Sequence, residues 1–256
     1  MDYDLPDELQ LTIDGGVRIL TLNRPEARNA FTIPMHHGLT RFWSQVQNDR
    51  DARAVVLTGA GKAFSAGGDM SWIERSINDH AVRHESIRDT DGLVRTMAAC
   101  ALPIVAAVNG PAVGLGCSVL LLCDLVYMAD TAFIADPHVA IGLVAADGGA
   151  VTWPLATSLL KAKEYLYTGD RIPAADAERL GLANYVVPGD EVLDKALAMA
   201  HRLAAQPAFA LQQTKRAVNR HLERAISDVL ALALASQSES HLMPEVQAKV
   251  DEFKRR

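Results

Sequence analysis

Polar and apolar residues alternate along some stretches of this chain, and in others apolar residues run together in short blocks. Alternating stretches at 9–13 and 17–22 are separated by Asp14-Gly15-Gly16, which is typical of a β-hairpin. The apolar blocks are shorter than helices need, so each predicts a buried strand. These blocks lie at 54–58, 104–108, 125–129 and 133–135.

Between the strands, the apolar residues take the spacing of a helix. One predicted helix follows Pro34, with an apolar face formed by Met35, Leu39, Phe42, Trp43 and Val46. Further helices are predicted from Met70 and over 117–123, which has almost no polar face. The segment 78–91 is polar, and we expect it to form a mobile surface stretch.

Strands and helices alternate as far as about residue 193, which predicts an α/β fold rather than a sandwich or a bundle. From 194 onwards the pattern is only helical, with Pro207 and Pro244 as its main breaks. We therefore expect an α/β core over 1–193 and a C-terminal helical region over 194–256.

Two glycine-containing turns, at 65–69 and 109–116, each follow a predicted strand and open a predicted helix. A helix that starts at a glycine has unpaired backbone N–H groups at its positive end. Such groups can stabilise an anion, including an oxyanion that exists only during a reaction. The alternative is a tight turn that lets a core helix pack closely on the sheet.

Composition narrows the classes of function. The chain has 256 residues, a net charge of −6 and three cysteines in apolar surroundings. No long basic run, no secretory signal and no apolar run of about 20 residues is visible, so we expect a cytoplasmic protein without nucleic-acid or membrane partners. The cysteines and histidines lack metal-ligand spacing, so no metal site is expected.

Short motifs spread over nearly the whole chain are specific in combination, although each is weak alone. They are Leu22-Asn23-Arg24-Pro25, Asn29-Ala30, Phe64-Ser65-Ala66-Gly67-Gly68-Asp69, the segment 109–117, Cys123-Asp124-Leu125, the segment 168–172, the segment 181–184 and Thr214-Lys215. Together they resemble the crotonase (enoyl-CoA hydratase/isomerase) superfamily. The resemblance implies a spiral of strand-strand-helix repeats with a C-terminal helical region, assembled as a homotrimer or a dimer of trimers.

The resemblance also implies an acyl-CoA substrate, with coenzyme A entering as part of the thioester and no permanently bound cofactor. The backbone N–H groups of Gly68 and Leu115 would form an oxyanion hole, and Asp69 would cap the helix beside it. The residues that fall where the family holds substrate are Arg28, Ala30, Ala66, Gly67, Met70 and, near the basic C-terminus, Phe253.

The sequence departs from the family where hydratases carry two glutamates. Ser118 and His138 stand there instead. His138 can transfer protons near neutral pH, and Asp147 could accept its Nδ1–H, as in a catalytic triad. The alternatives are a small core residue at 118, a loop histidine at 138 and a helix cap at 147.

Three hypotheses follow. The first is an acyl-CoA enzyme of the hydratase/isomerase kind, with His138 as acid/base and Ser118 as a positioning group. The second is a carbon–carbon bond hydrolase of β-diketones that uses the His138–Asp147 pair, as in the superfamily's 6-oxocamphor hydrolase type. The third is a catalytically silent CoA-binding homologue, suggested by the missing glutamates.

Overall fold

The computed structural model describes residues 2–255 and confirms the α/β architecture. A six-stranded sheet has the order β1-β2-β3-β4-β6-β9, and a small three-stranded sheet has the order β5-β7-β8. The strands are β1 Leu9–Asp14, β2 Val17–Leu22, β3 Ala54–Gly59, β4 Ile104–Val108, β5 Ala112–Val113, β6 Leu125–Ala129, β7 Phe133–Ala135, β8 Ile172–Pro173 and β9 Tyr185–Val187. The predicted hairpin is β1 and β2, and the strands from β2 onwards in the large sheet run parallel.

Helices connect the strands, and from Val192 to Lys254 the chain is helical apart from short turns. They are α1 Ile33–Val46, α2 Met70–Asn78, α3 His80–Ala99, α4 Leu115–Leu121, α5 Gly149–Ala156, α6 Leu159–Thr168, α7 Ala174–Leu180, α8 Val192–Ala204, α9 Ala208–Ala225, α10 Ala231–Ser240 and α11 Pro244–Lys254. A π-helical stretch, Ile226–Leu230, joins α9 to α10. Within residues 2–255, none of the helices has the length and apolar character needed to cross a membrane.

The large sheet has an apolar layer on each face because side chains alternate along its strands. Val55 and Leu57 of β3 join the main core, which includes the predicted apolar face of α1. Val56, between them, joins a second cluster with Val192 and Ala196 of α8. The division predicted at 193/194 remains a prediction, although α8 begins at Val192 and packs directly on the sheet.

The prediction that residues 78–91 form a mobile surface stretch is wrong, because most of them belong to α3. Asp79 caps α3, with its carboxylate accepting hydrogen bonds from the N–H groups of Ala81 and Val82. The helix then runs for 20 residues and buries Leu93 and Met97 near its end. Its polar first half therefore belongs to one long helix that the buried second half anchors.

Candidate active site

The two glycine loops are joined directly by their backbones at the ends of the central strands. The N–H of Val113 donates to the carbonyl of Ser65 over 2.9 Å. A Cβ on Gly67, where φ is +92°, would lie 2.8 Å from the carbonyl oxygen of Val113, and one on Gly116 would lie 2.6 Å from the Cβ of Ser65. Only glycine allows this approach, which fixes one loop against the other.

The predicted oxyanion-hole residues, Gly68 and Leu115, line the same cavity. Leu115 is the first residue of α4, so its N–H has no acceptor within the helix. Among the hydrogen bonds of residues 2–255, neither the N–H of Gly68 nor that of Leu115 is a donor. Two residues whose backbone N–H groups make no hydrogen bond within residues 2–255 therefore line one small cavity.

The cavity has a volume of about 60 Å³ and mixes apolar, neutral polar and charged side chains. Besides the two backbone donors, it is lined by Trp72, Ile73, Ser76, Ser86, Thr90, His138, Leu143, Asp147, Gln237 and His241. His138 and Asp147 are the charged groups among them. The proposed acid–base residues thus border the same space as the two free N–H groups.

His138 lies between two aspartates, and all three side chains are buried. Its Nδ1 contacts Oδ1 of Asp136, and its Nε2 lies 3.1 Å from Oδ2 of Asp147. The other oxygen of Asp147 accepts a hydrogen bond of 2.7 Å from the hydroxyl of Ser118. The expectation that Asp147 would bind Nδ1 is therefore wrong, because the turn that holds Asp136 occupies that nitrogen.

Electrostatics fixes the charge of this cluster. Burial alone would lower the pKa of His138, but the charges of Asp147 and Asp136 raise it well above 6.5. Burial likewise tends to raise the pKa of Asp147, yet His138 and the Ser118 hydroxyl hold it below its ordinary value. The two aspartates therefore favour the imidazolium form of His138, and His138 in turn favours the carboxylate form of Asp147.

The structure also bears on the alternative roles considered for these residues. Gly148, rather than Asp147, is the N-cap of α5, and no side chain caps that helix. Ser118 is fully buried in α4, as a core residue would be, but its hydroxyl is bonded to Asp147. Asp69 does cap α2 by accepting from the N–H of Ser71, and it also pairs with Arg24 at 2.6 Å.

The predicted substrate-binding residues lie beside the cavity rather than in its lining. The N–H of Ala66 donates to the carbonyl of Arg28 over 2.9 Å, and Met70 begins α2. Phe253 is 57% exposed on α11, which ties to α2 through an ion pair between Lys254 and Glu74. The predicted basic tail ends at Arg256, outside the described residues, whereas Ala30 and Gly67 belong to the loops described above.

Two clusters within residues 2–255 bring three potential metal ligands together. One is Asp136, His138 and Asp147, and the other is a half-exposed set formed by His37, Glu85 and Asp89. In the first cluster both ring nitrogens of His138 are engaged by carboxylates, so no imidazole lone pair is left for a metal in this arrangement.

Two groups of residues were missed by the sequence analysis. Asp136 is fully buried and holds His138, and its oxygen also accepts the backbone N–H of His138 over 3.3 Å. The available signal was an aspartate two residues before a histidine, the spacing of an Asx-turn. The other group is Ser76 of α2 with Gln237 and His241 at the C-terminal end of α10, for which no local signal exists.

Two strand-end glycine loops and a buried cluster of one histidine and two aspartates thus meet at one cavity of an α/β fold. The family model described as enoyl-CoA hydratase/isomerase matches residues 12–255, and the chain belongs to that family.

Relatives and solved structures agree with this assignment. A crystal structure of an enoyl-CoA hydratase/isomerase from Mycobacterium paratuberculosis is 49% identical, with a TM-score of 0.95 over 98% of this chain and 100% of that one. A probable enoyl-CoA hydratase of Mycobacterium tuberculosis is 35% identical over 85% of this chain and 83% of its own length. A monofunctional enoyl-CoA isomerase from M. smegmatis is 30% identical, with a TM-score of 0.72 over 85% of this chain and 95% of that one. The crotonase fold and an enzyme of the hydratase/isomerase type are thereby confirmed.

Proposed function

We propose that this enzyme acts on short enoyl-CoA thioesters, with the N–H groups of Gly68 and Leu115 binding the thioester oxygen and the His138–Asp147 pair transferring protons. The single observation that carries the proposal is that all four groups border one cavity. The N–H groups are free to donate, and the pair is desolvated. Fixed donors of this kind stabilise negative charge most strongly where water is excluded.

In the hydration direction, the carboxylate of Asp147 takes a proton from water as the water oxygen bonds to the β carbon. The π electrons move toward the thioester oxygen, which the two backbone N–H groups stabilise as an enolate. The Nε2–H of His138 then protonates the α carbon as the enolate collapses. Migration of the double bond passes through the same kind of enolate, so the same groups serve either reaction.

Asp136 and Ser118 are positioning residues in this proposal. Asp136 holds Nδ1 of His138, so that Nε2 points to Asp147 and the cavity. Ser118 fixes the second oxygen of Asp147 over 2.7 Å, which leaves the carboxylate one orientation. Asp147 thereby places a carboxylate in contact with both Ser118 and His138, the residues that stand where the family's hydratases carry glutamates.

Coenzyme A would enter as part of the substrate, without a permanently bound cofactor. Arg28, Ala30, Ala66, Gly67 and Met70 would line the path of its pantetheine arm, and Phe253 its outer part. The backbone hydrogen bond from Ala66 to Arg28 supports this, because it joins two of these residues beside the first glycine loop. A homotrimer or dimer of trimers in the cytoplasm remains our prediction.

The test is turnover of crotonyl-CoA by the wild type and by His138→Gln, which removes the proton donor but keeps a polar side chain of similar reach. We expect kcat to fall by about 10²–10⁴-fold, the usual contribution of a general acid or base. His80→Gln, at the exposed start of α3, is the matched control and should match the wild type. Circular dichroism shows whether each variant is folded.

Folded His138→Gln with wild-type turnover would remove His138 from the mechanism. Wild-type enzyme that cleaves β-diketones but leaves enoyl-CoAs unchanged would instead support the carbon–carbon hydrolase. Affinity for acyl-CoA without turnover of any thioester would support the silent homologue. Both alternatives are less well supported, because the relatives reported above are named as hydratases and isomerases.

A further inference from the structure

Part of the cavity surface is a neutral polar wall made by three helices. We call this the helical wall, and it consists of Ser76, Ser86, Thr90, Gln237 and His241. No charged side chain belongs to it, and four of the five residues are at most 8% exposed. Burying this much polar surface beside an acyl chain is unfavourable unless the bound group satisfies it.

The two most buried hydroxyl groups of the wall use their protons inside their own helices. Ser76 donates to the carbonyl of Trp72 over 3.0 Å, and Thr90 donates to the carbonyl of Ser86 over 2.9 Å. Each oxygen retains lone pairs that accept no hydrogen bond from residues 2–255. Both hydroxyls therefore line the cavity as acceptors, while the Ser86 hydroxyl, which makes no hydrogen bond within residues 2–255, can take either role.

The remaining two side chains present acceptors as well. His241 directs Nδ1 to the carbonyl of Gln237 at 2.8 Å, and a carbonyl only accepts, so Nδ1 carries the proton. Burial lowers the pKa of His241, which leaves the ring neutral and Nε2 as a lone-pair acceptor. The Gln237 amide nitrogen donates to the carbonyl of Val144 over 3.2 Å, and the oxygen of that amide accepts no hydrogen bond from the described residues.

We propose that the helical wall binds a hydrogen-bond donor on the acyl chain, so that the preferred substrates are CoA thioesters of short acids with a hydroxyl group near the distal end. The inference rests on the proposed function for the thioester itself. The cavity volume of about 60 Å³ is small, so it favours short acyl groups over long alkyl chains.

Binding of two saturated thioesters tests the inference without any turnover. 4-Hydroxybutanoyl-CoA and pentanoyl-CoA have the same number of non-hydrogen atoms and differ by a hydroxyl in place of a methyl group. We expect the hydroxylated thioester to bind about tenfold more tightly by calorimetry, because pentanoyl-CoA leaves the wall acceptors unpaired. Octanoyl-CoA should bind more weakly than either.

Thr90→Val removes one wall acceptor at nearly constant volume, and it should reduce the preference for the hydroxylated thioester about threefold. Thr96→Val is the matched control, because Thr96 makes the same kind of bond to its own helix, to Gly92, and does not line the cavity. Its preference should equal that of the wild type.

Equal binding, or tighter binding of pentanoyl-CoA, overturns the inference while leaving the proposed function intact if crotonyl-CoA is turned over. If Thr90→Val keeps the wild-type preference for the hydroxylated thioester, another part of the protein causes that preference, and the role of the helical wall is overturned. Failure of the wild type to bind any of the three thioesters overturns the proposed function, and the inference with it.

Discussion

The glycine loops and the helical wall border the same cavity but are built by different means. Backbone hydrogen bonds join the loops at the strand ends, and the cluster around His138 beside them is charged. The wall is neutral, and its side chains are bonded mostly to carbonyl groups of their own helices. Side chains of the wall can therefore change without moving the loops. Proton transfer and acyl-chain selection are thus assigned to separable parts of the molecule.

The largest expected effect comes from separating the two glycine loops. Gly116→Ala would place a Cβ 2.6 Å from that of Ser65, so the loops must move apart and one N–H donor is displaced. We expect kcat for crotonyl-CoA to fall by about 10²–10³-fold, the usual cost of losing one such donor. The kcat for thioesters of every acyl chain should fall by a similar factor, whereas Thr90→Val should change the preference between acyl chains.

Gly92→Ala is the matched control, because this glycine is also helical but its Cβ would meet only the Thr40 methyl group at 3.5 Å. Activity should be unchanged, and thermal unfolding should show a gain of about 0.5–1 kcal/mol from the better helix propensity. Full activity in folded Gly116→Ala would show that the approach of the loops does not position the donors.

Asp136→Asn tests the cluster with a smaller expected effect. Loss of the carboxylate charge should lower the pKa of His138 toward its ordinary value and reduce kcat about 10²-fold, with little change in KM. Histidine-selective NMR titration measures the pKa directly. Asp49→Asn breaks another buried pair, with Arg18 at 2.7 Å, and should cost stability without changing the titration of His138. An unchanged His138 titration in Asp136→Asn would contradict the electrostatic account.

The pH profile should show the smallest change. The pKa of His138 is raised and that of Asp147 is lowered, so both groups keep their catalytic forms from above the ordinary aspartate pKa to beyond the ordinary histidine pKa. We expect kcat/KM to vary less than about threefold across that range. A fall in activity below about pH 6.5 would instead indicate that neutral His138 is the base.

The same shifts set the pH dependence of stability. The contribution of His138 is fully present below the pKa of an unfolded histidine and is lost as pH rises through the raised value in the fold. The contribution of Asp147 is present above the pKa of an unfolded aspartate and is lost as pH falls through its lowered value.

Local patterns predicted the parts of the molecule that local chemistry determines. The strand at 104–108 and the apolar face that begins at Met35 lie where their spacing placed them. The hydrogen bond from Ser118 to Asp147 joins two predicted residues, but the partner of Nδ1 was missed, because it depends on the conformation of the turn at Asp136.

The helical wall could not be predicted from any local pattern. Thr90 and Gln237 are far apart in sequence, and they border one cavity only because α3 packs against α10. The polar stretch at 78–91 was misread because polar residues on the outer half of a helix resemble a loop. The cap formed by Asp79, which starts α3, was the missed local signal.

A crystal structure with acetoacetyl-CoA, a thioester that readily forms an enolate, tests the central claim most directly. The account predicts that the thioester oxygen lies about 3 Å from the backbone nitrogens of both Gly68 and Leu115. It also predicts that the α carbon faces Nε2 of His138. A thioester oxygen bound elsewhere, with the two N–H groups directed to protein carbonyls, would contradict it.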